Sequence, residues 1–115
     1  MRKALFIGVN DYSHINPLSG CNNDAIEMAS VLQRHASGVP NFHNKILTTA
    51  EDSIEKHVLE DSIQELFSGA CDVALLYFAG HGSFDKNLHE GMIIPQDYRK
   101  PSDGVRVSDI LTWAD

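Results

Sequence analysis

Apolar positions along the chain fall into two strand-like runs, two helical stripes and several shorter stretches. Ala4-Leu-Phe-Ile-Gly-Val9, closed by Asn10-Asp11, suits a buried strand. Tyr12 to Asn23 is rich in Ser, Asn, Pro and Gly, which is loop composition. Asp24 with Glu27 reads as a capping box. Ala25, Met28, Ala29 and Leu32 behind it share one helical face, predicting a helix near 24–35 that Ser37-Gly38 and Pro40 stop. Lys45–Thr48 is a short second strand. Asp52 and Glu55 offer a second capping box for a helix near 53–67, with Ile54, Val58, Leu59, Ile63, Leu66 and Phe67 as its stripe and Gly69 as its stop. Val73–Ala79 is an unbroken apolar run between Asp72 and Gly80, which reads as a strand buried on both faces. Gly91–Pro95 is a weaker strand, pairing as a hairpin with Arg106-Val107. Ser108 is the expected N-cap of a third helix over Asp109–Asp115.

Strand, helix, strand, helix, strand predicts the α/β class, with a parallel sheet covered by helices on both faces. Right-handed crossovers favour the strand order 2-1-3. A crevice then opens beyond the carboxyl ends of strands 1 and 3, where ligands bind in such sheets. The loops Asn10–Asp24 and Gly80–Asp85 meet there. The last helix stops after barely two turns, and strand 3 reads as central although the order puts it at an edge. Both features predict a domain incomplete on its C-terminal side.

Composition narrows the function classes. A chain of 115 residues with 43% hydrophobic and 22% charged residues is one globular domain, not a disordered or low-complexity segment. No apolar run approaches the ~18 residues of a membrane span, and Ala4–Val9 is too short for a signal-peptide core. A net charge of −7, from 9 basic against 16 acidic side chains, argues against nucleic acid and membrane surfaces as partners. Two cysteines, Cys21 and Cys71, are too few for a disulfide scaffold and suit a reducing, cytoplasmic setting. His35 and His57 are expected on helices, and His14, His43 and His89 in loops. None has zinc-ligand spacing. Gly8 and Gly20 build no phosphate-binding loop. Glu51-Asp52 and Glu60-Asp61 read as solvated surface.

The candidate chemistry centres on Gly80-His81-Gly82, directly after the third strand. Histidine exchanges a proton near neutral pH, and the unobstructed Gly82 N–H can donate to a developing oxyanion. Cys21 faces the same crevice. Cys71 lies at the opposite, amino end of strand 3 and reads as a small core or loop residue.

Three segments together carry a resemblance: Ala4–Asn10, Leu18-Ser-Gly-Cys-Asn-Asn-Asp-Ala25 and Leu76-Tyr-Phe-Ala-Gly-His-Gly82. In that order they resemble the caspase-like peptidases, metacaspases and bacterial caspase homologues above all. The resemblance implies a three-layer caspase–haemoglobinase fold, a Cys–His dyad with His81 as its base, and a protein or peptide substrate. The family's nucleophile follows about 50 residues after the histidine, near residue ~130. Residues 1–115 would then be the amino-terminal part of one peptidase domain. Its partner would be the remaining half, or another copy, at the strand 3 edge. The resemblance places Cys21 and Asp24 in the S1 pocket, with Asp24 receiving a P1 Arg or Lys. Ala79 stands where metacaspases often carry a pocket serine. Glu90 and Asp109 match two acidic positions that bind calcium in some metacaspases. Ser108 replaces a third, leaving the set short of the six or more oxygens calcium takes, so no cofactor is expected. The alternative is a truncated, non-catalytic module acting through protein–protein contacts.

Overall fold

A computed structural model describes residues 2–34 and 43–115 of the chain. Strand β1, Arg2–Gly8, is the axis of the fold. It pairs in parallel with β2, His43–Thr48, on one side and with β3, Val73–Ala79, on the other. The order is β2-β1-β3, as the alternation of strands and helices predicts. His43 therefore opens a strand rather than lying in a loop.

The two faces of β1 are separate cores because side chains alternate along a strand. Ala4 and Phe6 face α1, Cys21–Arg34, and pack with its Ala25 and Ala29. Phe6 also meets Tyr77, its register partner on β3, at 6.2 Å between ring centroids. Leu5 and Ile7 face the other way, onto Leu59, Ile63 and Leu66 of α2, Lys56–Leu66, and Ile110 of α3, Val107–Ala114. Helix layers thus cover both faces of the sheet. The stop at Gly69 takes the left-handed conformation, φ 73°, that glycine permits.

A second sheet is antiparallel, in the order β4 (Gly82–Asp85), β5 (Glu90–Ile93), β6 (Val105–Arg106). β5 pairs on its C-terminal side with Arg106 as expected, but the partner strand is Val105–Arg106 and Val107 opens α3 instead of continuing it. β4 differs from expectation: Gly82–Asp85 is a strand, not a loop. Its sequence, Gly-Ser-Phe-Asp, carries no apolar alternation, and pairing with β5 determines its conformation.

All three helix starts differ from the local reading. Helix α1 begins at Cys21, so Asp24 lies inside its first turn and donates its backbone N–H to Gly20 O at 2.8 Å. Asp24 is therefore not the N-cap. Asn10 Oδ1 instead accepts the Asn22 N–H at 3.1 Å. Helix α2 begins at Lys56, whose N–H donates to Asp97 Oδ1 at 2.9 Å. Asp52 turns back to accept the Thr48 N–H at 3.3 Å. In α3, Ser108 lies inside the helix and donates its N–H to Glu90 Oε1 at 2.9 Å.

Strand β3 also departs from expectation. It is an edge strand, half-buried along most of its length rather than buried on both faces. Among the described residues, no helix is long and apolar enough to cross a membrane. The predicted helix stop at Ser37-Gly38 and Pro40, and His35, lie outside the described residues.

Candidate active site

The carboxyl ends of β1 and β3 are joined before any side chain is considered, because Val9 N–H donates to Ala79 O at 2.9 Å. Helix α1 starts hard against the end of β1. A Cβ on Gly8 would lie 2.5 Å from Cys21 O and 2.7 Å from Asn22 Cα, so this approach requires glycine. His81 follows β3 by two residues. Cys21, Asp24, Ala79, His81 and Gly82 therefore share one sheet edge, which is the edge the topology selects.

His81 is held from the loop after β1. Its backbone N–H donates to Tyr12 Oη at 2.8 Å, and its ring lies 4.8 Å from that of Tyr12, tilted by 56°. Its Nε2 lies 2.9 Å from Asn16 O. A carbonyl only accepts, so Nε2 carries the proton in this contact. Nδ1 then holds the lone pair of the neutral ring.

The loop that makes these contacts is itself anchored. Ser13 N–H donates to Gln96 O at 2.9 Å. Gln96 also clamps the approach to α2, donating its N–H to Ile54 O and accepting the Ile54 N–H on Oε1, both at 2.8 Å. Arg99 Nε donates to His14 Nε2 at 2.9 Å. On the α1 side, Thr49 Oγ1 accepts the backbone N–H of Asn10 at 3.1 Å and exchanges hydrogen bonds with the Asn22 amide at 3.2 and 3.3 Å. Local sequence reading missed Tyr12, Asn16, Thr49 and Gln96. Tyr12 alone had a visible signal, an aromatic ring within a polar loop beside the predicted crevice.

Cys21 opens α1 rather than lying in a loop. Burial raises its thiol pKa, and the Asp24 charge adds to the rise. Both effects work against a thiolate. Burial likewise raises the Tyr12 pKa, with a further rise from Cys21, while the N–H of His81 on its oxygen works the other way. Asp24 is exposed. Cys71 lies at the far end of β3, roughly 20 Å of strand from His81. Both cysteines are free thiols.

Glu90 and Asp109 do not form an oxygen-rich cage. Glu90 caps α3, and Asp109 pairs with Arg106 at 3.2 Å. The donor set is engaged with the chain's own N–H groups and does not fit a calcium ion. Among the described residues, no group of three or more His, Cys, Asp or Glu is placed to hold a metal.

Comparison with known proteins agrees with this architecture. The profile of the caspase domain matches residues 1–112. The chain is 30% identical over 112 residues to Metacaspase-5 of Trypanosoma cruzi, covering 84% of this chain and 25% of that protein. It is 29% identical over 115 residues to Metacaspase-2 of Trypanosoma brucei brucei, covering 85% and 32%. Metacaspase-1 of Meyerozyma guilliermondii is 29% identical over 112 residues, with 86% and 27% covered. The chain thus spans about a quarter to a third of the length of these relatives. With a profile match over nearly its whole length, this chain belongs to the caspase domain family.

Proposed function

We propose that residues 1–115 form the amino-terminal part of a cytoplasmic cysteine endopeptidase domain and supply its histidine base and part of its S1 pocket. The observation that carries this reading is the fixed imidazole of His81, with Nε2 on Asn16 O at 2.9 Å at the end of a β-strand. The nucleophile is a cysteine beyond Asp115. Cys71 is at the wrong end of the sheet, and the raised pKa of Cys21 disfavours its thiolate. Nδ1 of His81 takes the thiol proton, and the thiolate attacks the peptide carbonyl. The Gly82 N–H holds the oxyanion, His81 returns the proton to the leaving amine, and water releases the acyl-enzyme. Cys21, Asp24 and Ala79 line the pocket, where Asp24 receives a P1 Arg or Lys. Its exposed carboxylate gains strength when the substrate covers it.

The test is kcat/KM of the chain extended through the downstream cysteine, on peptides with Arg, Lys or Asp at P1. Asp24→Ala lowers it about tenfold or more for basic P1 residues. His81→Ala lowers kcat far more, and Cys21→Ser is the mildest. Preference for Asp at P1 would refute the pocket, and loss of turnover in Cys21→Ser but not His81→Ala would refute the dyad. The 115-residue chain alone is inactive. The half-buried edge strand β3 favours a second reading, a non-catalytic module that binds a partner there. An extended protein that still hydrolyses no peptide, but associates through β3, would support it.

A further inference from the structure

His81 stands between two glycines, so its own neighbours do little to hold its backbone. Its carbonyl accepts the Ile94 N–H at 3.1 Å, and its amide side is held from 69 residues away, where the half-buried Tyr12 makes two different contacts with it. The hydroxyl accepts the His81 N–H at 2.8 Å, which fixes the main chain. The ring lies against the imidazole at 4.8 Å, which limits rotation of its plane. A third observation shows that the fold keeps this space for the phenol. A Cβ on Gly80 would sit 2.7 Å from Tyr12 Oη. Four residues after Tyr12, the same loop brings the Asn16 carbonyl to Nε2.

From this geometry we infer that Tyr12 is a positioning residue for the imidazole of His81, its hydroxyl setting the backbone and its ring setting the plane in which Nε2 meets Asn16. The catalytic consequence rests on the reading of His81 as the base. With Nε2–H committed to Asn16, the Nδ1 lone pair is the one that accepts the thiol proton. A rotated ring would offer the wrong nitrogen. Tyr12 touches neither substrate nor reacting atoms in this scheme and acts through His81.

The experiment uses the 115-residue chain, labelled with ¹⁵N, and compares it with Tyr12→Phe and Tyr12→Leu. Long-range ¹H–¹⁵N spectra report the tautomer of His81, and amide exchange reports its backbone. In the parent chain the neutral ring is mainly the Nε2–H form. In Tyr12→Phe the ring remains but the acceptor is gone. The His81 amide then exchanges about tenfold faster, the effect of one hydrogen bond, while the amides of Phe6 and Ile7 keep their protection. In Tyr12→Leu the face of the imidazole is also lost, and the Nε2–H form gives up its dominance. Unchanged His81 exchange in Tyr12→Phe overturns the proposal, as does a parent ring in the Nδ1–H form. Both readings survive if the leucine variant fails to fold, because the parent and phenylalanine chains decide them. None of these measurements uses peptide hydrolysis. A failed peptidase assay therefore leaves them standing, and their failure leaves His81 as a base held by other groups.

Discussion

Strands β1 and β3 lie side by side, and β3 is apolar at all seven positions against four of seven in β1, yet β1 is the better buried of the two. Phe6 and Ile7 of β1 are fully buried, whereas Val73 of β3 is 41% exposed and the rest of that strand is half-buried. The reason is position. β1 has a strand on each side and a helix layer on each face, whereas among the described residues β3 has one neighbour, β1, in the order β2-β1-β3. An apolar run records what a strand is able to bury, and the topology decides how much of it is buried. The seven apolar residues of β3 exceed the cover that the described chain gives them. A long apolar edge of this kind is a site for pairing.

The sharpest way to break this comparison uses a matched pair of leucines. Leu5 and Leu76 are register partners on the two strands and pack on the same core cluster. Leu5 is 2% exposed, and Leu76 is half-buried. Leu5→Ala should destabilise the chain by about 3–4 kcal/mol, within the range for fully buried leucines. Leu76→Ala should cost about half as much, because part of its surface already meets solvent. Urea denaturation of each variant reads the difference. Equal losses would mean that β3 is covered in solution, and the cost of Leu76→Ala would then fall on dilution if a second copy provides the cover.

Much of the sheet was legible because strands announce themselves locally. Val73–Ala79 has the boundaries its apolar run predicts, and the 2-1-3 order follows from alternation of elements. Helix starts were not legible, for a shared physical reason. Each helix takes its capping oxygen from a distant segment: Asn10 for α1, Asp97 for α2 and Glu90 for α3. A capping box searches three residues ahead and cannot see an acceptor 41 residues away. The candidate site divides the same way. His81 was visible as a motif at a strand end, and Cys21 and Asp24 through the resemblance to caspase-like peptidases. Their supports, Asn16 O, Thr49 and Gln96, act through backbone atoms or ordinary polar side chains brought in by the fold, which no spacing encodes.

The glycines ending the two strands extend the contrast with a smaller effect. Gly8→Ala places a methyl group 2.5 Å from the Cys21 carbonyl, and only movement of helix α1 can relieve it. A loss of about 2–3 kcal/mol is expected, at the upper end for overpacking. Gly80→Ala meets side chains instead, the Tyr12 hydroxyl at 2.7 Å and the Phe78 ring at 2.8 Å. Side chains can swing away, so about 1 kcal/mol is expected. The two substitutions also leave different marks. Gly8→Ala should disturb the amides of Cys21 and Asn22 in an NMR spectrum, whereas Gly80→Ala should displace Tyr12 and shift the His81 amide. A Gly80→Ala chain as unstable as Gly8→Ala would show that the Tyr12 ring is as rigidly held as backbone.

The smallest effect concerns the bond that ties the two strand ends together. Burial is the main cause of the raised Tyr12 pKa, and Cys21 adds to it, while the hydrogen bond from His81 opposes both. The unfolded phenol titrates near ~10. Since the folded value lies above the unfolded one, the neutral phenol's contribution to stability is complete below ~10 and is lost as pH rises through the folded value. Near neutral pH, Tyr12→Phe should be less stable than the parent chain by about 1 kcal/mol, the net worth of one hydrogen bond. Above ~10 the parent pays for ionising a half-buried phenol and the phenylalanine variant does not, so the gap should narrow. Cys21→Ser removes one of the raising influences and should reduce that narrowing. Urea midpoints of the three chains between pH 7 and 11 provide the measurement. A gap that widens with pH would mean that the His81 N–H stabilises the phenolate more than burial opposes it, reversing the order of causes and making the Tyr12–His81 bond the dominant force at this junction.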